Sequence, residues 1–80
     1  MLHLSLERTK QILQRYPVQR TKFYEDLNAG LFPPGVALGP RSVAWPSHEI
    51  DAIISARVAG KTEDQIRELV KQLTAARKQG

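Results

Sequence analysis

The chain has 80 residues, which is enough for one domain with a single hydrophobic core and too few for two. Its composition, 41% hydrophobic and 25% charged, is typical of a folded protein and excludes a disordered one. The absence of cysteine excludes a disulfide framework and a thiolate metal site, and no apolar run approaches a membrane span. Because the first residues also lack the features of a signal peptide, we expect a cytoplasmic protein.

The positive charge is concentrated in the first half of the chain. The whole sequence has a net charge of +4 and a pI near 9.9. Residues 8–41 contain six basic and two acidic residues, whereas residues 42–80 contain six basic and five acidic ones. A basic surface attracts nucleic acid through its phosphates. Many small basic domains bind no nucleic acid, so the charge needs support from the order of the structural elements.

Two short helices are predicted at the start of the chain. Apolar residues at helical spacing favour a first helix over residues 6–15, with Ser5 as its N-cap and Pro17 after its end. A four-residue turn leads to a second helix over residues 20–28, and Gly30 follows as a favourable C-terminal residue. A helix, a tight turn and a short helix are typical of a helix-turn-helix.

Residues 32–45 predict a β-hairpin. The segment 39–42, Gly-Pro-Arg-Ser, is typical of a turn and places Arg41 at the tip. Large apolar residues stand at every second position on each side of it: Val36, Leu38, Val43 and Trp45. This alternation predicts a hairpin packed on one face, with Trp45 as a core residue that anchors it.

Two further helices complete the predicted fold. The third begins at Pro46 or Ser47 and ends at Gly60. Thr62 opens a capping box for a fourth helix over residues 63–76. The fourth helix has an apolar stripe formed by Ile66, Leu69, Val70 and Leu73.

The order of these elements predicts a mostly α-helical fold with a small β-hairpin, a winged helix-turn-helix with an added C-terminal helix. We assign residues 1–60 to the winged helix-turn-helix DNA-binding domain. Residues 61–80 form a C-terminal helical extension, in which we expect the basic tail from Ala75 onward to fray.

The sequence offers no arrangement for catalysis, for a metal or for a cofactor. His3 lies near the chain start, and His48 has only Glu49 and Asp51 close to it in sequence. We interpret this segment as a solvent-facing first turn in which the helix dipole favours the acids. No serine has a histidine at helical spacing that would activate it, so we predict that the protein is not an enzyme.

The start of the second helix carries the sharpest functional hypothesis. Gln19, Arg20, Thr21 and Lys22 stand where a helix-turn-helix protein reaches base edges in the major groove. Arginine bonds guanine in a bidentate way, glutamine suits adenine, and threonine or lysine reaches phosphates. The alternative is that these residues form only a solvated face, and that Gln19 or Thr21 caps the helix.

Four other residues leave more than one interpretation open. Tyr24 either closes the edge of the core with Phe23 or donates its hydroxyl to a phosphate. Arg41 either reaches a minor groove or the DNA backbone as a wing residue, which we favour, or serves solubility in a turn. Glu25 and Asp26 are unsuited to phosphate, so that end of the helix leaves the backbone or one of them accepts a hydrogen bond from a cytosine amine.

Residues 18–54 resemble the AlpA-like phage and prophage regulators. The shared motifs are an arginine and tyrosine in the second helix, then G-x-F-P, V-x-L-G-x-R, V-x-W and E-I-x-A. The matching positions are Arg20, Tyr24, Gly30, Phe32, Pro33, Val36, Leu38, Gly39, Arg41, Val43, Trp45, Glu49, Ile50 and Ala52. In this chain Gln19 and Lys22 replace the serine and threonine of the family, and Glu25 stands where a basic residue is common.

The resemblance implies a winged helix-turn-helix of the excisionase or MerR-like kind that binds double-stranded DNA of a phage or genomic island. Such proteins activate an integrase gene, or act as recombination directionality factors that bend DNA beside an integrase. The expected partners are DNA and an integrase or RNA polymerase, and the expected location is the nucleoid of a bacterial cell. The departures from the family concern the base preference and not the fold.

The fourth helix lies beyond the shared region and suggests a second hypothesis. Its apolar stripe would suit self-association or the binding of a partner helix. In that case the protein is an interaction adaptor, and its basic charge is incidental.

Overall fold

The fold is seen in a computed structural model of the protein, which describes residues 5–77. The elements in chain order are β1 (Leu6–Glu7), α1 (Thr9–Arg15), α2 (Arg20–Asn28), β2 (Val36–Gly39), β3 (Ser42–Pro46), α3 (Ser47–Val58) and α4 (Glu63–Ala76). The three strands form an antiparallel sheet in the order β1-β3-β2. This architecture confirms the predicted winged helix-turn-helix with an added C-terminal helix.

The first helix begins three residues later than predicted, at Thr9. Leu6 and Glu7 form β1 instead and pair with the end of β3. The backbone amide of Ser47 donates to the carbonyl of Ser5 at 2.7 Å, so Ser5 extends the sheet and is not the helix N-cap. A two-residue strand is too short to show an alternating pattern, which explains why the sequence indicated helix here.

The bounds of the other three helices agree with the prediction. Gly30 and Gly60 follow α2 and α3, and both have a φ of 76°, a conformation that glycine adopts without strain. Thr62 caps α4 as expected, since its hydroxyl accepts a hydrogen bond from the Gln65 amide at 3.2 Å. The Gln65 side chain bonds back to the amide of Thr62 at 2.9 Å, which completes the capping box.

One hydrophobic core joins the helices and the hairpin. Its buried members are Ile12, Tyr16, Phe23, Leu31, Phe32, Trp45, Ile50, Ile53, Ala56, Ile66 and Val70. Ile66 and Val70 come from α4, and Leu69 and Leu73 pack against the same cluster. The apolar stripe of α4 therefore packs on the chain's own core.

Trp45 anchors the hairpin, as predicted. Its indole is buried, and its Nε1 donates to the carbonyl of Pro33 at 2.8 Å. The chain passes directly over the ring at Gly35, where a Cβ would overlap the side chain of Val43 and lie 3.1 Å from the indole. Glycine is therefore needed at this position for close approach rather than for an unusual φ.

The rest of the hairpin is less buried than the alternation predicted. Leu38 is 51% exposed and Val43 is 44% exposed, whereas Ala44 is buried. The register between β2 and β3 shifts between Ala37 and Gly39, and such a bulge breaks the period-two alternation. The hairpin thus packs at its base through Trp45 and extends outward at its tip.

A buried ion pair holds the end of α4. Glu49 is fully buried, contrary to the solvent-facing first turn expected for it. Arg77 donates from Nε to Glu49 Oε2 at 2.9 Å, from Nη2 to Oε1 at 2.5 Å, and from Nη2 to the carbonyl of Pro34 at 2.8 Å. Since α4 continues to Ala76 and Arg77 is bonded, fraying from Ala75 does not occur within the described residues, and residues 78–80 lie outside them.

Replacing Arg77 should destabilise the protein strongly. Arg77→Met keeps much of the side-chain volume but leaves the Glu49 carboxylate buried without a counter-ion, which costs about 3–5 kcal/mol. We expect that loss in the free energy of unfolding measured with urea at pH 7. Adding Glu49→Gln should recover a large part of it, because the buried charge is then absent. Equal stability of Arg77→Met and the wild type would contradict this assignment.

The contact of β1 with α1 predicts a stability change at acid pH. Arg15 donates from Nε to Glu7 Oε1 at 3.0 Å and from Nη2 to Oε2 at 2.6 Å, and these hydrogen bonds lower the pKa of Glu7. With a lowered folded pKa, the pair stabilises the protein above the ordinary glutamate pKa, and this stabilisation disappears as the pH falls through the folded value.

We therefore expect Glu7→Gln to lower the free energy of unfolding at pH 7 by up to about 1 kcal/mol, the range of partly exposed ion pairs. The difference from the wild type should shrink as the pH falls through the lowered pKa of folded Glu7, and it should vanish once Glu7 is protonated in both the folded and the unfolded state. Glu68→Gln is the control, because Glu68 is exposed and forms no ion pair with the residues of the described part. A Glu7→Gln effect that persists unchanged at low pH would show that the charge is not its cause.

Candidate nucleic-acid interface

The start of α2 presents polar and basic side chains to the surface. Gln19 is the N-cap, and its carbonyl accepts the Phe23 amide at 3.0 Å. Its side chain makes no capping hydrogen bond, so the capping alternative does not account for it. Arg20, Thr21 and Lys22 follow in the first turn and, like Gln19, are exposed. The structure thus brings these four predicted residues together on one exposed turn.

Arg20 is the least constrained cation of this turn. Its side chain makes no hydrogen bond and no ion pair with any residue between 5 and 77. A guanidinium has five donors and remains charged at physiological pH, so it is suited to bidentate bonds with a base edge or a phosphate. Arg20 therefore has its full bonding capacity available at the surface.

Lys22 belongs to a network centred on Asp26. Lys22 Nζ lies 2.8 Å from Asp26 Oδ1, one helical turn further along α2. The Tyr16 hydroxyl donates to Asp26 Oδ2 at 3.1 Å, and Arg57 Nη2 from α3 lies 3.8 Å from the same oxygen. Asp26 is only 1% exposed. The structure thus corrects the hypothesis that Asp26 contacts a cytosine, because its carboxylate is enclosed by its own neighbours.

Two pKa values reflect this network. The hydrogen bond with Asp26, and then its negative charge, raise the pKa of Lys22 and keep it protonated. Burial, and then the negative charge of Asp26, raise the pKa of the Tyr16 hydroxyl. Both groups are therefore in their donor forms at neutral pH, and Asp26 is their common acceptor.

Tyr24 lies between the core and the surface. The side chain is 47% exposed, and its ring packs edge-on against Phe23 with 5.6 Å between the ring centroids. This position is compatible with closing the core edge and with contact to a phosphate. Glu25, the next residue, is exposed.

Arg41 occupies the tip of the hairpin. Pro40 and Arg41 form the turn between β2 and β3, with Gly39 and Ser42 as the last paired residues. Arg41 is exposed and makes no ion pair with the described residues. Arg41 therefore lies on a different element from the exposed turn of α2. The hairpin and α2 contact each other in the core, through Trp45 and Phe23.

Most basic side chains of the basic half of the chain, residues 8–41, form no ion pair with the described residues. Arg15 pairs with Glu7 and Asp51, and Lys22 pairs with Asp26. The other four basic side chains of this half are exposed and form no ion pair within the part of the chain that is described: Arg8, Lys10, Arg20 and Arg41. Arg8 Nη2 donates to Ser42 Oγ at 3.5 Å, whereas an anionic polymer would reach Lys10, Arg20 and Arg41 without displacing a partner among the described residues.

Within the described part of the chain, no group of three or more acidic, histidine or cysteine side chains is arranged to hold a metal ion. No helix between residues 5 and 77 is both long and apolar enough to cross a membrane.

The sequence analysis did not predict the network in which Asp26 is a buried acceptor and Arg57 is its neighbour. The spacing of four residues between Lys22 and Asp26 is a visible signal for an ion pair within a helix. Arg57 had no such signal, because it belongs to another helix and meets Asp26 only in the folded chain.

Comparison with known proteins identifies relatives of the chain. Residues 6–58 match the family model described as "Prophage CP4-57 regulatory protein (AlpA)". The chain is similar to "Uncharacterized protein ORF88" of Enterobacteria phage P4, with 35% identity over 54 residues. That match spans 68% of this chain and 61% of the phage protein, which is less than two thirds of its length. No solved structure matches the chain. The match to the family model covers well over half of the sequence, and the chain therefore belongs to the AlpA family of prophage regulatory proteins.

Proposed function

We propose that the protein is a sequence-specific DNA-binding regulator of a phage or genomic island, without catalytic activity. The observation that carries this proposal is Arg20, a cation on the exposed first turn of α2 that has no partner within the described part of the chain. In a helix-turn-helix protein this turn faces base edges in the major groove. Membership of a prophage regulatory family supports the same function.

The side chains of the first turn of α2 would divide base contact and phosphate contact among them. Arg20 is suited to guanine and Gln19 to adenine. Thr21 and Lys22 are suited to phosphate oxygens, which position the protein without specifying sequence. Tyr24, half-exposed further along the helix, is a candidate for a phosphate contact through its hydroxyl.

The hairpin would serve as the wing. Arg41 stands at its tip without an internal partner among the described residues. A narrow minor groove has an enhanced negative potential that attracts arginine, and the adjacent backbone offers phosphates. In either position Arg41 sets the register of the protein on the duplex more than it reads bases.

Two biological roles use the same DNA-binding surface. One is an excisionase or recombination directionality factor that acts beside an integrase, and the other is a transcriptional regulator of an integrase gene. Both roles take place on DNA in the cytoplasm of a bacterial cell, at the nucleoid. They differ in their protein partners, an integrase in the first and RNA polymerase in the second.

The adaptor hypothesis has less support. It requires the apolar stripe of α4 to be available to a partner or to a second copy of the chain. Ile66 and Val70 of this stripe are buried in the chain's own core, and Leu69 and Leu73 pack against it. Self-association would therefore have to use other residues of α4.

A DNA-binding module of this size binds DNA weakly alone, so we expect repeated sites or cooperative binding.

Selection of bound sequences from random DNA tests the proposed function. We expect the wild-type protein to enrich a motif, and Arg20→Ala to weaken binding to it by roughly 5- to 150-fold, the range of 1–3 kcal/mol for one bidentate base contact. Lys61→Ala is the matched control, because Lys61 is also exposed and has no ion pair within residues 5–77. If no motif is enriched, the protein is not a sequence-specific DNA-binding regulator.

Replacement of Arg41 separates positioning from base recognition. We expect Arg41→Ala to lower affinity for all duplexes while the enriched motif stays the same. The slope of log affinity against log salt concentration should become shallower by about 0.9 for each phosphate contact that is lost. A changed motif in the selection experiment would instead show that Arg41 takes part in base recognition.

A further inference from the structure

The buried Asp26 carboxylate has two cations beside it but a hydrogen bond from only one of them. Lys22 Nζ donates to Oδ1 at 2.8 Å, whereas Arg57 Nη2 stays 3.8 Å from Oδ2, beyond hydrogen-bond length. The Tyr16 hydroxyl occupies Oδ2 as well, at 3.1 Å. Carboxylate oxygens accept more than one hydrogen bond each, so Oδ2 has room for a further donor.

Arg57 carries donors that could form this further hydrogen bond with Oδ2. Its Nε and Nη2 are buried and have no hydrogen-bond partner among residues 5–77. Buried donors are nearly always paired, so two of them without a partner on one guanidinium need an explanation. Nη2 lies beside Asp26, and a shift of about 1 Å would bring it to the usual length for a charged hydrogen bond with Oδ2.

Lys22 is placed so that its ammonium group can move away from Asp26. Its side chain is 51% exposed, on the first turn of α2. An ammonium group on a flexible stem carries three donors and is easily redirected to another anion. Asp26 cannot follow it, because only 1% of that residue is exposed.

We propose that Arg57 is the reserve counter-ion of Asp26, which allows Lys22 to be transferred from Asp26 to a DNA phosphate. A buried carboxylate that loses its only hydrogen-bonded cation is strongly penalised. With Arg57 in place, the guanidinium closes on Oδ2 as Lys22 departs, and Asp26 keeps a counter-ion throughout. Arg57 is thus a positioning residue that acts through Lys22, and the inference depends on the proposed DNA-binding function.

The same geometry limits direct contact of Arg57 with DNA. The two unpartnered nitrogens of Arg57 are buried, so a phosphate cannot reach them from the surface. Only 34% of the side chain is exposed, less than for Lys22. A direct contact would make the effects of Lys22 and Arg57 on DNA binding independent, whereas a reserve counter-ion makes them interdependent.

A double-mutant cycle on the full chain tests this interdependence. The probe is a duplex enriched from random DNA by the wild-type protein, and the measured quantity is the slope of log affinity against log salt concentration. Lys22→Ala should make this slope shallower by about 0.9, which corresponds to one lost phosphate contact. Arg57→Met should have the same effect, because Lys22 then stays on Asp26, and the double variant should lose no more than either single variant.

A rescue variant distinguishes the proposed role of Arg57 from a purely structural one. Asp26→Asn in the Arg57→Met background removes the charge that retains Lys22, so the wild-type slope should return. Lys61→Met is the control for loss of an exposed cation elsewhere and should leave the slope unchanged. Additive losses in the cycle, or a wild-type slope for Arg57→Met, would overturn the role of Arg57.

The unmodified protein provides a second measurement in case Arg57→Met does not fold. The guanidinium protons of Arg57 should exchange more slowly with water after the duplex is added, because Nη2 has then bonded to Asp26. Unchanged exchange in the DNA complex would overturn the proposal. If the wild type does not bind DNA, the proposed function fails and this inference fails with it. If binding depends on Arg20 but the cycle is additive, only the role of Arg57 is wrong.

Discussion

The edge-to-face packing of Phe23 against Trp45 sets the relation between α2 and the hairpin. The ring centroids are 5.5 Å apart, and the ring planes meet at 69°. Phe23 is on the buried side of α2, and Trp45 is tied to the preceding loop by its bond to Pro33. Such aromatic pairs have a preferred geometry and bury a large area. This pair therefore fixes the base of the hairpin relative to α2, which the proposed contact of both elements with DNA requires.

Two acidic side chains are buried in this small domain, and both are stabilised by nearby cations. Asp26 and Glu49 are both buried, and each is neutralised by cations that come at least partly from another helix. The two groups of charged residues differ in their hydrogen-bond geometry. Arg77 donates two hydrogen bonds to Glu49, so this pair is closed and holds the fold together. Around Asp26 one cation is bonded and the other, Arg57, is not, so this site retains an alternative arrangement.

Features that depend on local sequence were predictable, and features that depend on distant partners were not. Gly30, Gly60 and the Thr62 capping box mark helix ends through backbone conformation, and the turn composition marks the hairpin. The strand β1 was missed because two residues carry no periodicity and its partner strand is far away in sequence. The burial of Glu49 was also invisible, because its counter-ion is 28 residues away. The exposed cations at the start of α2 were predictable, since that turn needs no tertiary partner to reach the surface.

The helix α4 is part of the domain's core even though the family match ends before it. The match covers residues 6–58, yet Ile66 and Val70 fill the core that those residues form. Arg77, also outside the match, neutralises Glu49 inside it. Without α4 the matched segment would expose apolar surface and bury an unpaired carboxylate, and both are costly. A protein partner of this regulator would therefore meet the exposed side of α4 or another free surface, since the apolar stripe is already occupied within the chain.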